Sequence, residues 1–235
     1  MTRPVLVVTG MAREARLAAA PGVVAIQAGA DPLRLRALLE SSMQGQCRAV
    51  LSFGIAGGLD PRLRPGDVVV AGGIVSQGER HPALPILVQR IASILESGGT
   101  RVKLGHVAGV DAPVFYPVAK RRLRTETGAS TVDMESHVAA AYAAEYRLPF
   151  AAIRIVCDPA GRSLPFWAAE ALRADGKVDV ATVARALLRR PGHLAPTFRL
   201  ALDAAAAFRA LERCRKLLGP GLGVPDLGQL LSDPA

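Results

Sequence analysis

The sequence is short of aromatic residues, with one Trp, three Tyr and six Phe among 235 residues. Proteins that hold single-stranded nucleic acid stack bases on aromatic side chains, and this chain has little material for such a platform. The three cysteines, Cys47, Cys157 and Cys214, lie far apart with no CxxC and no metal-ligand spacing. That argues against a disulfide framework and a metal site, and for reduced thiols in a cytoplasmic protein. No apolar run is long enough to span a bilayer, and the opening "MTRPVLVVTG" reads as a first strand rather than a signal peptide. Lysine is scarce as well: four of the 29 basic residues are Lys103, Lys120, Lys177 and Lys216. The net charge of +9 is therefore mostly arginine. An arginine- and alanine-rich balance that reflects the genome's base composition is a stronger reading of it than an anionic partner. With no recognition motif, no nucleic-acid partner is expected.

What the chain does have is apolar material in a regular order. Half of the residues are hydrophobic, enough for a sizeable core. Strand-like runs at 4–10, 22–29, 47–54, 66–76, 101–110 and 150–158 alternate with helical patterns at 11–20, 31–42, 83–98, 117–128 and from Glu135 onward. Asp31 reads as an N-cap with Pro32 in the first turn. Alternation of this kind predicts an α/β fold with its sheet covered on both faces and ligands at the carboxyl ends of the strands.

After Ala160 the pattern becomes helical, over 163–176, 179–192 and 194–218. In the last segment Phe198, Leu202, Ala205, Phe208 and Leu211 fall on one stripe. From Arg189 to Lys216 there are seven basic and two acidic residues. The expected division is a catalytic domain over 1–192, an amphipathic helical extension over 193–218 packed on it, and a loose tail over 219–235. The extension reads either as a packing helix or subunit contact, or as a segment lying on anionic lipid or walling an apolar channel.

Four places carry candidate chemistry. In "SFGIAGGLDPRLRPGD" (52–67), Gly54, Gly57 and Gly58 follow a strand, where glycine lets the backbone approach a ligand closely; a tight turn is the plainer reading. There is no GxGxxG and no P-loop lysine. In "VDMESH" (132–137), Glu135 opens a helix, where the dipole favours a carboxylate, and Met134 is either core or a soft wall against a flat ligand. Asp158 ends the strand "FAAIRIVCD", apolar apart from Arg154; it is a turn Asp or a site acid. Glu14, just past the first strand, is a solvated helix residue beside Arg13 and Arg16 or a member of the same rim. Taken together, three carboxylates and a glycine loop at strand ends suit cleavage of an N-glycosidic bond. That reaction needs an acid for the leaving purine, a carboxylate for the cationic sugar, and a group for water or phosphate.

The pieces "TGMAREA", "SFGIAGGL", "PGD", "VDMES" and "RIVCDPA", in that order, resemble the nucleoside phosphorylase and nucleosidase superfamily. Over nearly the whole chain, "SFGIAGGLDPRLRPGDVVVA", "AGVDAPV", "VDMESHVAA", "LPFAAIRIVCDPA" and "LLRRPG" are similar to the hopanoid-associated phosphorylase family. The resemblance implies a three-layer α/β/α sandwich around a mixed, partly barrel-like sheet, with the helical extension added. It implies a 5′-substituted adenosine, adenosylhopane, as substrate, with adenine released during formation of bacteriohopanepolyols. It assigns Asp158 to the purine N7 and N6 edge, Glu135 to the ribose 2′-hydroxyl and Met134 to the sugar. Ala56 and Gly57, with Gly54, form the loop over the ribose, Pro113 and Val114 meet the base, and Glu14 activates water.

Two positions depart from the pattern. Ile55 stands where relatives often carry a hydroxyl that contacts phosphate or water, and isoleucine cannot donate a side-chain hydrogen bond. Cys157 stands where a serine is common. With Glu14 present, hydrolysis is favoured over phosphorolysis; Arg13 or Arg16 would hold phosphate if it is the co-substrate. No other cofactor is expected. A homo-oligomer is, and so is peripheral contact with the inner membrane if the substrate stays there. A methylthioadenosine or adenosylhomocysteine nucleosidase, a purine nucleoside phosphorylase and a non-catalytic nucleoside-binding module are the alternatives.

Overall fold

The computed structural model describes residues 3–29, 31–42, 44–164, 179, 181–183, 185 and 194–225. Its elements in chain order are β1 (Val5–Thr9), α1 (Ala12–Ala18), β2 (Val23–Gln27), α2 (Pro32–Ser42), β3 (Ala49–Gly58), β4 (Val68–Ser76), β5 (Glu79–Pro82), α3 (Pro85–Ser97), β6 (Val102–Gly109), α4 (Pro117–Thr127), β7 (Thr131–Asp133), α5 (Ser136–Glu145), β8 (Phe150–Asp158) and α6 (Leu194–Leu218). Helix starts follow local chemistry. Asp31 accepts the Arg34 N–H at 3.0 Å ahead of α2, and Pro85 and Pro117 open α3 and α4, where the missing N–H costs nothing. Helix α4 stops at Gly128, whose φ of 70° suits glycine.

The sheet is mixed and closes on itself. Strands β3, β7, β6, β4 and β8 pair in a ring: β3 with β8 parallel, β8 with β4 antiparallel, β4 with β6 and β6 with β7 parallel, and β7 with β3 antiparallel. Strands β1 and β2 extend it beyond β3, and β5 extends it beyond β4. Helix α6 packs with α1 and α3, while α2 packs with α5. Strand β8 runs through the centre, buried at every residue, and one apolar cluster joins β1, β3, β4 and β8 to the helices.

The structure corrects the sequence reading in four places. The glycine-rich stretch after Gly54 is not a loop: β3 continues to Gly58, and Gly57 and Gly58 pair with Val132 and Thr131 of β7. A β-bulge at Ala56/Gly57 lets β3 stay paired with β8 as well, and a Cβ on Gly57 would lie 3.1 Å from Val132. Small residues there let three strands converge and close the barrel. Strand β5 was not expected; Gln77 (φ 49°) and Gly78 (φ 84°) form the two-residue turn that folds it onto β4. The apolar stripe of α6 divides: Phe208 and Leu211 are buried, whereas Phe198 and Leu202 are 66% and 53% exposed. Finally, the tail is not loose at its start, because Leu222 and Val224 are buried in the main core. The helices expected over 163–176 and 179–192 fall almost entirely outside the described residues, as does the tail from 226.

Candidate active site

A cavity of about 750 Å³ opens where β1, β3, β7 and β8 end, roofed by α6. Glu14, Glu135 and Asp158 all line it, although 121 residues separate Glu14 from Glu135 in the chain (135 − 14). Each carboxylate is almost wholly buried. A buried charge is costly unless it is paired or hydrogen-bonded, so the partners of each decide what it can do.

Glu14 sits in the first turn of α1. One carboxylate oxygen, Oε2, accepts the N–H groups of Gly10 at 2.9 Å and Met11 at 2.7 Å, and Oε1 accepts the Ile55 N–H at 2.7 Å. It thus caps its own helix and ties that helix to β3. Ile55 lacks a hydroxyl, but its main chain is what grips this carboxylate. Burial pushes the Glu14 carboxyl up, and Arg154 and the three N–H groups oppose the shift.

Glu135 stands at the N-cap of α5, immediately after β7. Its placement depends on Asp133, which accepts the N–H groups of Glu135 at 3.2 Å and Ser136 at 2.9 Å. Gly10 allows the side chain to lie flat against the end of β1, since a Cβ there would be 2.6 Å from Oε1. Burial, then repulsion by Asp133, raises the Glu135 carboxyl to about 8, with Arg154 opposing.

Arg154 is the hub of this half of the site. It is fully buried. Its Nε meets Asp133 Oδ2 at 2.5 Å and its Nη2 lies 3.8 Å from Glu135 Oε2. It also donates to Ser52 at 2.5 Å and to Ser136 at 3.0 Å. The signal was visible in the sequence as the one charged residue inside an apolar strand, but nothing there said what it would meet.

Asp158 ends β8 and faces Gly57, where a Cβ would lie 3.4 Å from both carboxylate oxygens. Burial raises its carboxyl and Lys120 opposes the shift. Lys120, fully buried on α4, forms an ion pair with Asp158 Oδ2. Sequence reasoning missed it, because Lys120 stands in the run "KRRLR" and looks like one more residue of a solvated face.

Of the other expected site residues, Met134, Ala56, Gly57, Pro113, Val114, Arg13 and Arg16 also line the cavity. Gly54 does not; it lies beneath, where a Cβ would come within 2.6 Å of Glu14 and 2.7 Å of Arg154. Its role is to leave room for those two side chains. The Arg13 guanidinium is stacked 4.0 Å over the Phe208 ring, a cation–π contact that directs it along α6. The far wall is apolar: Leu200, Ala201, Ala204, Ala205 and Phe208 of α6, with Leu164 and Val183.

The fold has known counterparts. Solved structures of similar fold include a futalosine hydrolase mutant from Helicobacter pylori, with 17% identity, TM-score 0.60, and 66% of this chain and 89% of that one covered. Another is a methylthioadenosine nucleosidase mutant from the same organism with 5′-methylthioadenosine in its active site, with 16% identity, TM-score 0.65, and coverage of 80% and 100%. In sequence, the chain is 28% identical to the 5′-methylthioadenosine/S-adenosylhomocysteine nucleosidase of Mycobacterium bovis over 49% of this chain and 60% of that protein. The match thus spans less than two thirds of the curated relative's length. Residues 2–189, which hold Glu14, Glu135 and Asp158, match the Phosphorylase superfamily as a whole. The chain belongs to the phosphorylase superfamily.

Proposed function

We propose that this chain cleaves the N-glycosidic bond of a 5′-substituted adenosine and releases adenine. The observation that carries the reading is that Asp158, Glu135 and Glu14 all line one cavity. In this reading the purine lies against Pro113, Val114 and Asp158, and the ribose lies over Met134 with its 2′-hydroxyl on Glu135. As the C1′–N9 bond breaks, its electron pair leaves with the base and Asp158 gives a proton to N7. The sugar passes through an oxocarbenium-like state. In this reading Glu14 and Glu135, when ionised beside the ribose, favour positive charge on the sugar. Water then adds to C1′ and gives its proton to Glu14.

Hydrolysis fits better than phosphorolysis. Arg13 is drawn to Phe208 and Ile55 offers its N–H to Glu14, so of the two arginines expected to hold phosphate only Arg16 is left on the cavity wall for it. The apolar α6 wall suits a large hydrophobic 5′-substituent, and adenosylhopane is the substrate we propose. Leu194, Phe198 and Leu202 are exposed on the same helix beside Arg199, a combination that suits peripheral contact with an anionic membrane. Adenine release from detergent-dispersed adenosylhopane and from methylthioadenosine, with and without phosphate, tests the reading. Phosphate-independent release with preference for the hopanoid is expected. Strict phosphate dependence would remove Glu14 from the role of base, and preference for methylthioadenosine would overturn the substrate.

A further inference from the structure

The ion pair behind Asp158 is not required by the fold alone. Helix α4 is otherwise partly or fully exposed, and Lys120 is its one buried residue. Its ammonium has three protons and finds three acceptors: Asp158 Oδ2, the Pro159 carbonyl at 3.1 Å and the Arg162 carbonyl at 3.4 Å. Full use of the donors holds it fixed. Lys120 does not line the cavity whereas Asp158 does, so the cation approaches the carboxylate from the side away from the ligand.

We propose that Lys120 is a positioning residue for the acid, clamping one carboxylate oxygen of Asp158 so that the other meets the purine. The inference rests on the reading of Asp158 as proton donor. Burial alone would make this carboxyl a weak acid that holds its proton tightly; an adjacent ammonium makes it a stronger one. Among the described residues the other groups around it are few. Arg162, in the turn after β8, also favours the carboxylate, but its guanidinium is paired with Asp203 of α6. Cys157 of β8 stays a neutral thiol, pushed up to about 12 by burial. Strands β3 and β7 present Gly57 and Val132, which do not titrate. Lys120 is thus the charge that sets the acid.

The test is the pH dependence of kcat for adenine release in wild type, Lys120→Met, Lys120→Arg and Asp158→Asn. In Lys120→Met, burial acts nearly unopposed and the carboxyl keeps its proton to higher pH. The alkaline limb is expected to move up by about one to three pH units, with the plateau falling about tenfold or more. Lys120→Arg keeps the charge and is expected to keep the wild-type limb. A lysine that only held α4 in place would reduce the active fraction and leave the limb unmoved. An unmoved limb in Lys120→Met, with Asp158→Asn inactive, overturns the positioning role alone; wild-type turnover in Asp158→Asn overturns the acid and the positioning together. Should Lys120→Met fail to fold, the wild-type protein decides. Labelled at lysine Nζ, it is expected to give an ammonium signal for Lys120 that is protected from solvent and shifts when adenine binds. A protected signal indifferent to adenine, or none, overturns the proposal.

Discussion

Arg154→Met is the perturbation that most directly probes how the carboxylates are held. Methionine fills much of the same space without charge, so the chief loss is electrostatic. The guanidinium contacts Asp133 at 2.5 Å, lies 3.8 Å from Glu135 and donates to Ser52 and Ser136. Removing one partner of a buried pair costs about 3–5 kcal/mol, because the remaining charge stays desolvated. That is a large fraction of an ordinary domain's stability, about 5–15 kcal/mol. The loss is pH-dependent with a definite sign. Arg154 holds the Glu14 and Glu135 carboxyls down; without it they keep their protons to higher pH, and keeping them charged becomes more costly. Urea unfolding is therefore expected to show a smaller loss near pH 6, where Glu135 is protonated with or without Arg154, and a loss that grows as pH rises above about 8. Arg154→Met/Asp133→Asn removes the most closely apposed charge and should regain more than half of it. A loss below about 1 kcal/mol at pH 8, or no recovery in the double variant, would refute the view that Arg154 organises the site.

Glu135 is neutral in the folded state over a range where it is ionised in the unfolded chain. Its contribution to stability falls as pH rises from 4.5 to about 8, and at about 1.4 kcal/mol per unit this amounts to several kcal/mol; Glu135→Gln should flatten that slope in urea titrations, and an unchanged slope would contradict the assignment. Gly54→Ala places a methyl group 2.6 Å from Glu14 and 2.7 Å from Arg154, and is expected to cost about 1–3 kcal/mol and most of the activity; near-wild-type thermal stability and turnover would count against the packing described. Phe208→Ala opens the apolar end of the cavity and releases Arg13, so KM should rise severalfold for a hydrophobic 5′-substituted adenosine and little for adenosine itself, and equal changes would argue that the α6 wall does not meet the substituent.

Much of this was legible in the chain. Periodicity showed β1, β8 and most of the helices, and the motif order brought Glu14, Glu135 and Asp158 to one rim, where the structure has them. Pattern failed where tertiary pairing overrides it. The stretch Gly54–Gly58 carries every local mark of a loop, yet Gly57 and Gly58 are strand residues because β7 and β8 lie on either side of them. Strand β7, three residues long, is too short for any period to register. Lys120 was hidden for a different reason: in a helix of basic residues, nothing local distinguishes the one that turns inward. Arg154 was conspicuous, but its partners come from β3 and from the β7–α5 junction, contacts that appear only once the barrel closes.

Adenine release by the wild-type protein and by Asp158→Asn, measured on the same 5′-substituted adenosine with both proteins shown to be folded, bears most directly on the central claim. Asparagine keeps the shape of the side chain and has no acidic proton to give. Turnover is expected to fall by about two to four orders of magnitude, with adenine binding reduced far less. Release by Asp158→Asn at a rate close to wild type would contradict the account, since the carboxylate at the end of β8 would then not be the acid of the reaction.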